Sequence, residues 1–120
     1  MTMSRFAILI HNHPFLHWDL LFEHGDTCRT WRLLQAPDSQ ATEFPAEELP
    51  DHRQIYLDYE GPVGEGRGTV VRWDSGTFVG DVGGKDEFDM TLAGQRWQGD
   101  FRLERVDGLA WIVRRQPKSS

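Results

Sequence analysis

The stretch that decides the fold is RFAILIHNHPFLHWDLLFE, residues 5–23. It contains two short runs of mainly apolar and aromatic residues, Arg5–His11 and His17–Glu23, each of a length typical of a strand. The segment between them, Asn12–Leu16, is short and includes Pro14, which favours a turn. The stretch therefore predicts two neighbouring strands joined by a tight connection.

The same pattern continues towards the C terminus, where glycine and aspartate separate further short apolar runs. The predicted strands are Arg29–Leu34, Gln54–Tyr59, Thr69–Trp73, Phe88–Leu92, Trp97–Glu104 and Leu109–Arg115. The predicted tight turns are Gly25-Asp26, Asp74-Ser75-Gly76, Gly83-Gly84 and Asp107-Gly108. One short helical piece is predicted at Pro45–Leu49, ended by Pro50.

These elements predict an all-β fold, a small antiparallel β-barrel of about eight strands with minimal helix. The scarcity of helices excludes a doubly wound α/β fold. The 120 residues fit a single domain. We assign residues 1–116 to that domain and residues 117–120 to a polar tail.

Composition predicts a compact cytoplasmic domain. Hydrophobic residues make up 38% of the chain, enough to bury a core, which excludes wholesale disorder. No apolar run approaches the roughly 18 residues that a membrane helix requires. Cys28 is the single cysteine, and the first residues lack the apolar stretch of a secretory signal, so we expect a cytoplasmic location.

The charge is acidic and unevenly distributed. The formal net charge of -6 argues against tight non-specific binding of a polyanion. Residues 1–60 contain 4 basic and 10 acidic side chains together with all five histidines, whereas residues 61–120 contain 9 of each charge. An acidic, histidine-rich half suits a divalent cation, although an acidic solvated surface accounts for the charge as well.

The strongest chemical motif is His11-x5-His17-x-Asp19. Residues two apart on a strand share a face, so His17 and Asp19 are expected side by side, with Trp18 and its alternate neighbours on the opposite face. If the preceding strand pairs antiparallel, His11 lies opposite or diagonal to His17. Two imidazoles and a carboxylate then suit Mn²⁺, Fe²⁺ or Zn²⁺. The alternative is a hairpin whose polar residues merely share a surface.

The other histidines carry weaker signals. His13 precedes Pro14, and His24 closes a strand, so both are interpreted as turn or solvent-facing residues. The spacing Asp51-His52-x3-Tyr56 could direct an imidazole and a phenol at a ligand. The alternative is a loop followed by an ordinary strand with Tyr56 in the core.

Two other types of site are not supported by the sequence. Residues 61–68, GPVGEGRG, resemble a phosphate-binding glycine loop, but a strand rather than a helix is predicted to follow them, so we interpret them as a flexible loop. Cys28 has no neighbouring cysteine, and the chain lacks a Gly-x-Ser-x-Gly motif. Nucleophilic catalysis is therefore unsupported.

Taken together, the motifs resemble a known family. They are HNHPFLHWDL at residues 11–20, Trp31, DHRQIYLDYEG at residues 51–61, GTVVRWDSGT at residues 68–77 and WIVR at residues 111–114. In this order they resemble the 3′-phosphoesterase domain of bacterial ATP-dependent DNA ligase D, and the resemblance covers nearly the whole chain.

The resemblance implies a compact β-barrel that acts on the 3′ ends of DNA primer strands during end joining. It implies removal of a 3′-terminal ribonucleoside and then a 3′-phosphate, with Mn²⁺ as the metal, or Zn²⁺ or another transition metal in its place. His11, His17 and Asp19 match the family's metal ligands, and His52 and Tyr56 match residues that engage the phosphate. The implied partners are nucleic-acid 3′ ends, with a separate ligase or polymerase as a further candidate.

The chain departs from the family pattern at its basic residues. The family has an arginine two residues after the aspartate, where this chain has Leu21, and a lysine where it has Gln35. Residues 41–50 contain no lysine or arginine, although the family has a basic residue in this loop. The longer N-terminal extension of the family is also absent from this sequence. Because arginine–phosphate contacts are charge-assisted, these changes should weaken phosphate binding more than metal binding.

Three functions follow from these observations. The first is a metal-dependent phosphoesterase acting on nucleic-acid 3′ ends, with weak, salt-sensitive DNA binding through the cation and the nine basic residues of the second half. The second is a catalytically degenerate module that binds metal or nucleic-acid ends. The third is a metalloenzyme with a less anionic substrate, for which Leu21 forms an apolar wall. The discriminating feature is whether Arg29, Arg32, Arg53 or Arg67 lies near the metal motif.

Overall fold

The computed structural model describes residues 3–38 and 40–116. The polar tail predicted at residues 117–120 lies outside the described residues. No helix in these two ranges is long and apolar enough to cross a membrane.

Nine strands and one short 3₁₀ helix make up the regular structure of the described chain. The strands are β1 (Ser4–His11), β2 (His17–His24), β3 (Thr27–Leu33), β4 (Glu43–Arg53), β5 (Gly61–Pro62), β6 (Thr69–Val79), β7 (Glu87–Gly94), β8 (Gln98–Asp107) and β9 (Ala110–Arg115). The 3₁₀ helix, Gln54–Leu57, follows β4 directly.

The strands form one closed antiparallel sheet. Their order is β1-β2-β3-β4-β9-β8-β7-β6-β5, and an additional pairing between β1 and β6 closes an eight-stranded barrel. The two-residue β5 adds to the outside of this ring by pairing with β6. The predicted all-β barrel with minimal helix is confirmed.

Two apolar clusters lie on opposite faces of the barrel wall. The larger one fills the interior and is rich in aromatic rings, with the ring centroids of Trp31 and Trp111 5.1 Å apart. The smaller one consists of buried Ala7, Leu9, Leu21, Cys28, Leu57 and Val70. In β2, Leu20 and Phe22 belong to the interior cluster and Leu21 to the smaller one, as strand alternation requires. Both faces of this strand are therefore buried.

The helix predicted at Pro45–Leu49 is wrong, because these residues belong to β4. Proline followed by alanine and glutamate resembles a helix start, but the burial pattern alternates, with Phe44 and Ala46 buried and Pro45 and Glu47 exposed. Pro45 lacks an N–H, yet its carbonyl accepts a hydrogen bond from Leu34 N at 2.9 Å. Burial of Phe44 and Ala46 in the barrel interior outweighed the local helix preference.

The strand predicted at Gln54–Tyr59 is also wrong, since the chain turns there into the 3₁₀ helix. The Ile55 carbonyl accepts hydrogen bonds from the backbone N–H groups of Asp58 and Tyr59, both at 3.1 Å. Leu57 is buried, whereas Ile55 is 53% exposed. A strand would have put Ile55 and Leu57 on the same face, but only Leu57 has an apolar cluster to pack against.

The tight turn predicted at Asp74-Ser75-Gly76 is wrong as well, because the three residues lie within β6. The buried Asp74 carboxylate accepts backbone N–H groups of another turn, including that of Trp97 at 2.8 Å. A Cβ at Gly76 would lie 2.1 Å from the Ala93 carbonyl oxygen, so glycine is needed for strand approach. The residues Asp74-Ser75-Gly76, which are typical of a turn, therefore allow two strands to pack closely.

Candidate metal centre

The hairpin of β1 and β2 brings the predicted metal ligands together. Its register places His11 directly opposite His17, as the sequence pattern indicated. Asp19 follows His17 by two residues on the same strand face and lies opposite Leu9. The site therefore lies on the outer face of the barrel wall, beside the smaller apolar cluster that contains Leu9.

The three side chains are close enough to share one ion. One potential ligand atom from each of His11, His17 and Asp19 lies within 4.8 Å of the other two. Asp19 Oδ1 lies 3.3 Å from His17 Nε2, and Asp19 Oδ2 lies 3.8 Å from His11 Nδ1. His17 and Asp19 are buried, and the His11 side chain is 16% exposed, which leaves one open side.

Backbone carbonyls orient both imidazole rings. His17 Nδ1 lies 2.8 Å from the Phe15 carbonyl oxygen, and His11 Nε2 lies 2.8 Å from the Arg67 carbonyl oxygen. A carbonyl only accepts, so each of these nitrogens carries the donated proton. In the neutral ring the other nitrogen, His17 Nε2 or His11 Nδ1, then presents its lone pair towards Asp19.

The donor set fits a divalent transition metal. His17 Nε2 and Asp19 Oδ1 are buried, and neither has a hydrogen-bond partner. Two acceptor atoms facing each other at 3.3 Å repel unless a cation or proton lies between them. Two imidazoles and one carboxylate with an open side are typical of Mn²⁺, Fe²⁺ or Zn²⁺ sites. The structure therefore has a candidate metal site at the predicted residues, without specifying the ion.

The glycine-containing loop between β5 and β6 holds a backbone carbonyl against His11. Asn12 Oδ1 accepts the Thr69 backbone N–H at 2.8 Å, which ties this loop to the β1–β2 connection. Gly68 has φ +76°, and a Cβ there would lie 2.3 Å from Asn12 Oδ1. This close approach places the Arg67 carbonyl against His11. A strand follows the loop, as predicted.

His52 and Tyr56 lie in the same cleft as the metal triad. The cleft has a volume of about 380 Å³ and is lined by His11 and Asp19 as well as by both of these residues. Their ring centroids are 6.1 Å apart, because the 3₁₀ helix turns Tyr56 back towards the end of β4. His52 Nδ1 donates to the Pro50 carbonyl oxygen at 3.0 Å. Tyr56 packs half-buried against the smaller apolar cluster.

Three arginines, Arg32, Arg53 and Arg67, also line the cleft. Arg29 does not, because its guanidinium donates to the carbonyl oxygens of Val82 and Gly84 at 2.8 and 2.7 Å. Three of the four candidate cations therefore lie near the metal motif, and Arg29 has a structural role.

The cleft is richer in positive charge than the chain as a whole. Asp19 and Asp51 are its acidic lining residues, against the three arginines. Two of these arginines come from residues 1–60 and one from residues 61–120, the half whose nine basic residues we expected to contact DNA. Strand pairing has thus collected positive charge around a site in an acidic chain.

The remaining sequence-derived interpretations have mixed outcomes. His24 is exposed, as expected, but His13 is half-buried, lines the cleft and has its ring centroid 6.5 Å from that of His11. Cys28 is buried, and burial raises the pKa of its thiol to about 11, which keeps it protonated near neutral pH. Cys28 is thus unsuited to nucleophilic catalysis.

A known protein family matches most of the chain. Residues 10–105 match the model of the DNA Ligase D 3'-phosphoesterase domain. The chain belongs to this family. The matched region contains the metal triad, His52, Tyr56 and all three cleft arginines.

Several relatives are multifunctional non-homologous end joining proteins named LigD. Those of Mycobacterium bovis and Mycobacterium tuberculosis are each 31% identical over 120 residues, covering 93% of this chain and 16% of the relative. The Pseudomonas aeruginosa protein is 26% identical over 114 residues, covering 88% of this chain and 14% of the relative. This member of the phosphoesterase family therefore spans about a sixth of the length of these relatives.

The sequence named Arg32 as a candidate cation of this phosphoesterase fold but did not predict its position beside Asp19. The spacing of the β2–β3 hairpin could have predicted that position. A two-residue turn at Gly25-Asp26 fixes the register of β2 and β3, and in that register Asp19 lies opposite Arg32. Arg53 and Arg67 reach the cleft through contacts between distant parts of the chain. No local pattern marks residues of that kind.

Proposed function

We propose that this protein is a metal-dependent 3′-phosphoesterase that acts on 3′-phosphate or 3′-ribonucleotide ends of DNA in end repair. The observation that carries the proposal is the single cleft lined by His11 and Asp19 of the metal triad, by His52 and Tyr56, and by three arginines. The triad alone would also suit a substrate with less charge. The three arginines favour a phosphoryl group, because guanidinium groups bind its oxygens through charge-assisted hydrogen bonds.

The metal ligands are proposed to be His11, His17 and Asp19, with Mn²⁺ as the favoured ion and Zn²⁺ or another transition metal as alternatives. A divalent ion there polarises a phosphoryl oxygen and lowers the pKa of a bound water. The half-buried position of His11 at the cleft leaves the open side that a substrate needs.

His52 and Tyr56 are proposed to contact the phosphate. Because His52 Nδ1 donates to the Pro50 carbonyl, a proton taken up at Nε2 is the one available to the phosphate or to the leaving oxygen. The Tyr56 hydroxyl supplies a second, neutral donor. His52 lies at the end of β4 and Tyr56 in the 3₁₀ helix, whereas the metal triad lies on β1 and β2.

The cellular role follows from the relatives, whose names describe non-homologous end joining. We propose that this protein processes DNA ends in the same type of repair, in the cytoplasm. A separate ligase or polymerase remains a predicted partner.

The test is turnover of a primer-template with a 3′-phosphate or a terminal ribonucleotide, in the presence of Mn²⁺. We expect a 3′-hydroxyl product from the wild type and none from His17→Ala, which removes a buried ligand. The matched control is His24→Ala, because His24 is exposed and does not line the cleft. This control should retain full activity.

No product from the wild type at high enzyme concentration would contradict the enzymatic proposal. Binding of Mn²⁺ without turnover would instead favour a catalytically degenerate module of the same fold. Isothermal titration of the metal-free protein with Mn²⁺ or Zn²⁺ separates these two results.

A further inference from the structure

Asp19 has two neighbours on its own face of the sheet that differ sharply in character. Leu21, two residues along β2, is fully buried in the smaller apolar cluster. Arg32 lies directly across the ladder on β3 and lines the cleft. Directly opposed residues of an antiparallel pair project to the same side of the sheet. The guanidinium next to Asp19 therefore comes from Arg32 on the neighbouring strand, since β2 has Leu21 at the next position on that face.

Within the described residues, the Arg32 guanidinium has a hydrogen-bond donor without a partner. Its Nε is buried without a hydrogen bond, and no ion pair with an acidic side chain is formed by Arg32 within residues 3–38 and 40–116. Arg29 on the same strand shows the contrast, because its guanidinium contacts Glu48 at 2.9 Å in addition to two carbonyls. A guanidinium that lines a cleft with unused donors is suited to an anionic ligand.

Phe15 connects Arg32 to the metal triad. The Arg32 Cζ lies 5.3 Å from the centroid of the Phe15 ring, which is 53% exposed. The same ring lies 5.4 Å from the His17 ring, and the Phe15 carbonyl accepts the His17 Nδ1 proton. One residue thus contacts both a metal ligand and Arg32. Cation–π contact holds a guanidinium in place without using its hydrogen-bond donors.

We propose that Arg32 binds the terminal phosphate of a DNA 3′ end beside the metal triad, and that Phe15 is its positioning residue. The nature of the ligand rests on the proposed function, whereas the role of Arg32 in anion recognition rests on the geometry of β2 and β3. Arg32 supplies from across the ladder the charge that Leu21 does not. This contact would distinguish a 3′-phosphate end from a 3′-hydroxyl end. Arg53 is exposed and also lines the cleft, so we expect it to contact the DNA backbone of both ends alike.

The experiment measures end preference by binding. Fluorescence anisotropy gives the affinity of the Mn²⁺-loaded protein for two primer-templates that differ only in a 3′-phosphate or a 3′-hydroxyl. Titrations are carried out on ice, and the recovered DNA is checked for an intact phosphate. We expect the wild type to prefer the phosphate by on the order of tenfold, because a charge-assisted contact to a dianion is gained.

Arg32→Ala should reduce this ratio towards one, and Arg32→Lys should recover part of it. Arg53→Ala should weaken both duplexes by the same factor and leave the ratio unchanged. Arg96→Ala is the charge-matched control, because Arg96 is exposed and lies over the Trp73 ring outside the cleft. Arg96→Ala should leave the ratio of the two affinities unchanged and lower both affinities only slightly, through the loss of one positive charge.

Phe15 is tested by a kinetic readout. Phe15→Ala should raise KM for the 3′-phosphate substrate more than it lowers kcat, and Phe15→Tyr should restore KM because the ring is kept. An equal fall in kcat for both variants would contradict the positioning role. Unchanged stabilisation by Mn²⁺ in every variant shows that the metal site is intact.

The two proposals can fail separately. A wild-type ratio near one, or an Arg32→Ala variant that keeps the wild-type ratio, overturns the assignment of Arg32 even if the enzyme is active. A ratio that is present in the wild type and lost in Arg32→Ala, without any turnover, supports Arg32 and overturns the proposed phosphoesterase activity.

Discussion

His11 and His17 face each other directly across the β1–β2 ladder, with ring centroids 4.9 Å apart, and each donates one ring N–H to a backbone carbonyl. The two carbonyls belong to Phe15 in the β1–β2 connection and to Arg67 before β6. Two separate parts of the backbone therefore fix the nitrogens that face Asp19. A site built in this way is preorganised before an ion binds.

The first prediction concerns Asp19→Asn. The carboxylate is buried and its Oδ1 has no hydrogen-bond partner, so the metal-free protein bears the cost of desolvating a charge. The amide removes that charge and can donate to His17 Nε2. We expect the metal-free variant to be more stable than the metal-free wild type by about 1–3 kcal/mol. Mn²⁺ should no longer raise its melting temperature.

Thermal denaturation with and without saturating Mn²⁺ measures both effects. The wild type and His24→Ala should be stabilised by about 2.7 kcal/mol at a metal concentration a hundred times Kd. An Asp19→Asn variant that is stabilised by Mn²⁺ as strongly as the wild type would show that the ion binds elsewhere.

The second prediction concerns Gly68→Ala. The backbone at Gly68 has φ +76°, and a Cβ would lie 2.3 Å from Asn12 Oδ1 and 2.7 Å from His13 Cβ. The loop must move, which withdraws the Arg67 carbonyl from His11. Since loss of an outer hydrogen bond to a ligand weakens metal binding by about 10-fold to 100-fold, we expect a fall of that order.

Gly66→Ala is the matched control for this variant. Gly66 has a similar φ of +68°, but a Cβ there meets nothing within 4 Å. Alanine at Gly66 therefore has a similar unfavourable backbone conformation but no steric contact with Asn12. Equal losses of Mn²⁺ affinity in the two variants, measured by isothermal titration, would rule out the proposed support of His11 by the loop.

The third prediction separates a structural arginine from those of the cleft. The Arg29 side chain is 12% exposed, and its Cζ lies 4.8 Å from the Trp31 ring. Lysine cannot reproduce its three hydrogen bonds, so Arg29→Lys should lower the free energy of unfolding by about 2–4 kcal/mol. Urea denaturation measures this change, with Arg96→Lys as the exposed control. A full-strength Mn²⁺ site should persist, and an unchanged urea midpoint would refute the structural role.

The sequence predicted the hairpin and the three candidate metal ligands on it because both depend on local patterns. Strand alternation and a short connection are enough to place His11, His17 and Asp19 together, and all three meet in the structure. The apolar alternation of Trp18 and Leu20 fixed which face of β2 points to the barrel interior. The patterns failed where a distant partner outweighed a local preference, as at Asp74, whose turn-like neighbours sit within a strand.

The shape of the cleft was harder to predict from the sequence than the hairpin. The 3₁₀ helix depends on burying Leu57 beneath the site while Ile55 stays exposed, which no two-residue alternation describes. The support of His11 by the Arg67 carbonyl joins residues 56 positions apart. Contacts of this kind follow from closure of the barrel by β1 and β6, so they become visible only with the complete fold.

The fourth prediction is a pH dependence of stability. Burial, followed by the charges of Glu23 and Asp51, raises the pKa of Cys28 from 9.0 to about 11. The folded state therefore holds this proton more tightly than the unfolded chain does. The resulting stability is present below about pH 9 and is lost as the pH rises towards about 11. Cys28→Ala should flatten the dependence of the unfolding free energy on pH between about 9 and 11, measured by urea denaturation. An unaltered dependence would show that other groups cause it.

The last prediction separates the role of the metal triad from the roles of His52 and Tyr56, which line the same cleft. His52 donates to the Pro50 carbonyl and is no part of the triad, so His52→Ala should leave Mn²⁺ affinity unchanged. If His52 Nε2 carries the proton needed in the reaction, kcat on a 3′-phosphate primer should fall by about 10²-fold to 10⁴-fold. Tyr56→Phe, which keeps the packing of the ring, should mainly raise KM. A His52→Ala variant with wild-type kcat would move the proton-transfer role to another cleft residue, with His13 as the candidate because it is the other imidazole outside the triad that lines the cleft.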